Sequence, residues 1–138
     1  MDTHEEVAVA EPVCARLLCR PQTSAQARRA AKEFLAGLDP QPGQETAEAL
    51  LLVVSELVAN AVRHAGGLDR LIFRCGEDGG IDVVVADGCP HPPRRRRTSM
   101  QTGDETGGFG WPLVLELSDE VSVRPTDAGG KVVRATLR

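Results

Sequence analysis

The sequence has no tyrosine, one tryptophan and three phenylalanines, too few flat rings for a stacking platform that would hold single-stranded nucleic acid. Nor is there a surplus of basic charge. The formal net charge is −4, the wrong sign for a surface built to contact phosphates, so direct nucleic-acid binding is not expected. Long apolar runs are also missing: the longest, Ala49 to Val54, is far too short to span a membrane. The opening MDTHEEVAVAEP lacks a basic region followed by an apolar core, so no secretory signal and a cytoplasmic protein are expected. Finally, Cys14, Cys19, Cys75 and Cys89 include no CxxC pair. On one strand Cys14 and Cys19 would point to opposite faces, which disfavours a shared metal or a mutual disulfide, and reduced thiols are expected.

What is present suits a globular chain. At 138 residues and 41% hydrophobic, one domain can bury roughly two-thirds of its unfolded surface. Residues 1–12 read as an acidic, disordered leader and 13–138 as the domain. Val13 to Arg20 has the composition of a strand ended by Pro21. Ser24 can cap a helix whose apolar positions run from Ala27 to Leu38 and which stops around Asp39-Pro40-Gln41-Pro42-Gly43. A second helix over Ala47 to Ala65 ends at Gly66-Gly67. The period then changes from 3.6 to 2. Arg70 to Cys75 and Ile81 to Asp87 form a hairpin around Glu77-Asp78-Gly79-Gly80. Residues 88–107 break every pattern. Trp111 to Leu117 is a short helix with Pro112 in its first turn, and Glu120 to Arg124 and Lys131 to Leu137 make a last hairpin. The expectation is an α+β fold: a mostly antiparallel sheet covered on one face by about three helices and wet on the other.

The helix over Ala47 to Ala65 organises the rest. Projected at about 100° per residue, Leu50, Val54, Leu57, Val58, Ala61 and Val62 make an apolar arc. Glu56, Asn60 and His64 stack at i, i+4, i+8 on another side with Arg63 at its edge. An acid, an amide and an imidazole form an unusual strip, readable as a functional face or as a plain half-exposed one.

Asp87 falls on the same strand face as Ile81, Val83 and Val85, where a carboxylate must find hydrogen-bond donors or bear a large desolvation penalty. Either it caps local amides in an Asp-Gly turn, or it accepts from an amine-bearing ligand such as adenine, favouring ATP over GTP. Thr106-Gly107-Gly108-Phe109-Gly110 is a glycine-rich turn opening onto a helix, where backbone amides can approach a phosphate. It matches neither GxGxxG nor GxxxxGK[ST], and a plain flexible connector is the alternative.

Taken together, ELVANA at Glu56 to Ala61, a strand ending in Asp87, a long loop and then Gly108-Phe109-Gly110 resemble the GHKL ATPase superfamily and its Bergerat-type fold. The run SELVANAVRHA looks most like the branch of anti-sigma factor serine kinases. That resemblance implies that Asn60 holds Mg²⁺ against the triphosphate of ATP, as an oxygen ligand for a hard cation. It implies that Glu56 takes the proton from an attacking serine hydroxyl, that Asp87 binds adenine, and that Arg63 and His64 lie near the phosphates. Thr106, Gly107, Gly108, Phe109 and Gly110 would meet the phosphates, and residues 88–107 would be a mobile lid carrying Arg94 to Arg97. The first glycine box departs from the family's DxGxG, reading Asp87-Gly88-Cys89-Pro90-His91, and Trp111 stands where the second box usually has leucine.

By the same resemblance the chain would bind a sigma factor, phosphorylate a STAS-type anti-anti-sigma antagonist, and pair as a homodimer. The alternative is a non-catalytic partner-binding protein on the same fold. A detached histidine-kinase ATPase domain is a third reading, disfavoured because His4 sits in an acidic leader with no phospho-acceptor helix.

Overall fold

The computed structural model describes residues 13–93 and 110–138. In chain order the elements are β1 (Val13–Cys19), α1 (Ser24–Ala36), α2 (Gln44–Ala65), β2 (Arg70–Gly76), β3 (Ile81–Asp87), α3 (Gly110–Leu117), β4 (Glu120–Pro125) and β5 (Lys131–Leu137). The strands form one sheet in the order β1-β2-β3-β5-β4, and every pairing is antiparallel. This is the expected α+β architecture. A register shift lies between Val13 and Ala15 at the start of β1.

Strand alternation explains which sheet face is covered. The ladder places Leu17, Phe73, Val83, Ala135 and Val121 in one row, and Cys19, Leu71, Val85, Val133 and Val123 in the next. Those rows join the core that α2 supplies with Leu50, Val53, Val54, Leu57, Val58 and Ala61. Phe34 of α1 stacks on Phe73 of β2 with centroids 5.4 Å apart, which fastens the first helix to the sheet. Helix α2 packs against both other helices and against β3 and β5, so it touches more of the fold than either of them.

Three expectations change. Thr23, not Ser24, caps α1, its hydroxyl accepting from the Gln26 amide at 3.1 Å. Ser24 instead donates to the Ser55 carbonyl of α2 at 3.1 Å, and Arg28 reaches the Ser55 hydroxyl at 2.7 Å. Val62 is 39% exposed and lies outside the core, whereas Val53 is fully buried; at about 100° per residue the apolar arc is therefore turned by roughly 40° from its projected position. The uncovered sheet face is also not uniformly wet. On β3 Val84 and Ala86 are buried there, and Asp82 is held by Arg74 at 3.2 Å, Arg134 at 2.9 Å and Thr136 at 2.7 Å. A central strand is shielded by its neighbours even where no helix covers it. Among the described residues no helix is long and apolar enough to cross a membrane.

Candidate functional site

Between α2 and the ends of β3 and β5 lies a cavity of about 250 Å³, and its lining includes Leu57, Asn60, His64, Val85, Asp87, Cys89 and Lys131. Three of the residues singled out from the sequence, Asn60, His64 and Asp87, thus meet in one place. Helical spacing brings Leu57, Asn60 and His64 to the wall because they fall on one side of α2. Strand parity brings Asp87 there because it shares the helix-facing side of β3 with Val83 and Val85. A second cavity of about 270 Å³ opens near the β2–β3 turn around Asp82, Arg134 and Thr136, and none of the singled-out residues lines it.

Asp87 is 4% exposed and finds its donors within the protein. The Lys131 ammonium stands 3.0 Å from both Oδ1 and Oδ2, and the Cys89 amide donates to Oδ1 at 2.9 Å. Lys131 also donates to the Cys89 carbonyl at 3.2 Å. Side chains of this ion pair are only 6% and 3% exposed. The turn-capping reading of Asp87 is therefore realised through Cys89, and a buried lysine adds to it. Lys131 went unrecognised in the sequence although a signal was there. In the alternation of β5 it shares parity with Val133, Ala135 and Leu137, and the ladder sets it opposite Asp87. Gly130 explains how close the two strand ends lie: a Cβ there would overlap the Asp87 carbonyl oxygen and the Gly88 Cα.

Asn60 is held differently. Its Oδ1 accepts from Arg63 Nη2 at 2.9 Å, while its buried Nδ2 has no partner among the described residues. A buried amide left half-satisfied carries an energetic penalty and is the kind of group a ligand completes. Arg63 is therefore tied to Asn60 rather than lining the cavity. Among the described residues no group of three or more His, Cys, Asp or Glu could hold a metal by itself. A single amide oxygen still fits Mg²⁺, which takes few protein ligands and completes its shell with phosphate oxygens and water.

Glu56 sits one turn before Asn60, half-buried and against α3, where a Cβ on Gly110 would come within 2.5 Å of its Oε1. Burial raises the Glu56 pKa, and the nearby Arg63 charge works in the opposite direction. A carboxylate whose pKa is raised is a stronger base and so a better proton acceptor. Thr106, Gly107, Gly108 and Phe109, like Arg94 to Arg97, lie outside the described residues; Gly110 is buried at the start of α3.

A model of the histidine kinase-like ATPase domain matches residues 18–137. Among solved structures, the RsbU and RsbW domains of Rv1364c from Mycobacterium tuberculosis superpose with a TM-score of 0.63 at 20% identity, over 89% of this chain and 32% of that one. The chain thus spans about a third of the length of that relative. The SiaB-SiaC complex from Pseudomonas aeruginosa superposes with a TM-score of 0.62 at 13% identity, over 97% of this chain and 95% of the other. No curated protein matches the sequence. Since the family model covers all but the ends of the chain and the fold agrees, the protein belongs to the histidine kinase-like ATPase domain family.

Proposed function

We propose that this protein binds Mg-ATP in the cavity between Asn60 and Asp87 and acts as an anti-sigma factor with serine kinase activity. Its phosphoryl acceptor would be a serine on a STAS-type antagonist, and its second partner a sigma factor. The observation that carries the reading is the meeting of Asn60 and Asp87 in one cavity, with Glu56 one helical turn away and raised in pKa by burial. Asn60 would hold the Mg²⁺, whose chemistry is to offset charge on the phosphates. Glu56 would accept the proton of the serine hydroxyl, and Leu57, Val85 and Val133 supply apolar walls for a base. The likeness in fold to the RsbU and RsbW domains and to SiaB-SiaC is in keeping with this branch of the family.

A specific observation favours the second reading, a partner-binding protein without catalysis: both oxygens of Asp87 already accept from Lys131. One experiment separates the two. Labelled ATP, Mg²⁺ and a candidate antagonist are incubated with wild type and with Glu56→Gln. The kinase reading expects label on the antagonist with wild type and none with the variant, at unchanged nucleotide affinity. A stable complex with the antagonist but no transfer by wild type defeats the kinase reading and leaves the binding one.

A further inference from the structure

The base-facing end of the cavity contains a cation as well as an acid. Lys131 Nζ makes three contacts, at 3.0 Å to each oxygen of Asp87 and at 3.2 Å to the Cys89 carbonyl, so all three of its protons are directed. The pair cannot easily swing away. Asp87 and Lys131 are cross-strand partners, and Gly130 lets the β5 backbone pass in contact with Asp87 and Gly88. Both side chains line the same cavity as Leu57, Val85 and Val133, apolar groups against which a purine ring can pack.

A carboxylate alone only accepts hydrogen bonds. It therefore suits the exocyclic amine of adenine and repels the carbonyl that a 6-oxopurine has at that place. An ammonium beside the carboxylate changes what is offered: a donor next to an acceptor. Hypoxanthine and guanine present the complementary edge, a carbonyl at position 6 beside a ring N–H. Of the three contacts of Nζ the one to Cys89 is the longest. Cys89 is only half-buried, so water can replace the lost partner if that proton turns to a base carbonyl.

We propose that Lys131 sets the base selectivity of this cavity, so that the protein accepts 6-oxopurine nucleotides as readily as ATP. This rests on the nucleotide reading given above and adds the class of base. It differs from the preference for ATP over GTP expected from Asp87 alone.

The test is calorimetric titration of the full chain with the Mg²⁺ complexes of ATP and ITP, which differ at the purine 6-position and the adjoining N1–H, and of GTP as the 2-amino homologue. Wild type is expected to bind ATP and ITP within about tenfold of each other, a difference of about 1.4 kcal/mol. Lys131→Met, which leaves Asp87 as a bare acceptor, is expected to shift the ratio toward ATP by about tenfold or more. Rejection of ITP by wild type beyond that factor, or an unchanged ratio in the variant, overturns the inference while leaving ATP binding intact. Should Lys131→Met fail to fold, the wild-type ratio decides alone. Absence of all nucleotide binding in wild type removes the cavity reading itself, and this inference with it.

Discussion

Lys131 and Asp87 show how much depends on pairing once charges are buried. Two ionic side chains taken out of water are tolerable only while each satisfies the other. Asp87→Ala would leave the Lys131 ammonium, 5% exposed as a residue, with the Cys89 carbonyl as its remaining contact. Loss of about 3–5 kcal/mol of stability is expected, measured by urea unfolding; a loss below about 1 kcal/mol would show the pair to be solvated. Glu56 makes the opposite case. Its pKa is raised because burial disfavours the charged form. The folded state thus holds the proton more tightly than the unfolded one, which stabilises the fold below the ordinary value of 4.5. That gain is lost as pH rises through the folded pKa. Glu56→Gln has no such loss, so the stability of wild type relative to the variant should fall as pH rises from the ordinary value of 4.5 through the raised one. A flat difference across that range would contradict the burial of this carboxylate.

Among the elements, α2 was the most legible in sequence and also the one whose orientation was projected slightly wrong. Its length, its freedom from Gly and Pro and the glycine after it define the helix; the C-cap residue Gly66 takes φ 74°. Which residues face inward depends on where α1 and α3 press on it, and that is tertiary information. The projected arc included Val62, which is 39% exposed, and left Val53, fully buried, outside. Truncation tests the difference. Leu50→Ala, at a fully buried site, should cost about 2–5 kcal/mol, whereas Val62→Ala should stay within about 0.5 kcal/mol, both read from thermal or urea unfolding. The strands were legible because short runs of strand-forming residues lie between turn residues, most plainly at Arg70 to Cys75, where Leu71, Phe73 and Cys75 alternate with Arg70 and Arg74. Partner choice was not. Asp87 and Lys131 are separated by residues 88–109, α3 and β4, and only the β3–β5 register unites them. The same holds for Asp82, whose partners Arg74, Arg134 and Thr136 come from strands on either side of it.

Viewed whole, the protein places its candidate site where distant parts of the chain converge: the second half of α2, the end of β3 and the beginning of β5. Helix α2 is common to the core and to the cavity, with Leu57 in both. A ligand seated there would therefore report on global stability rather than on a local loop. If Mg-ATP binds only the folded state, a concentration of about 100 times Kd adds about 2.7 kcal/mol to unfolding. For a domain of this size that is roughly a 10 °C rise in Tm. The same rise should be absent in Asn60→Ala, which removes the half-satisfied amide at the cavity wall and keeps the apolar face of α2. Scanning both proteins with and without Mg-ATP checks this. A rise that persists in Asn60→Ala would move the nucleotide away from this cavity, because the ligand would then bind without the one cavity-lining amide of α2 that the fold leaves incompletely bonded.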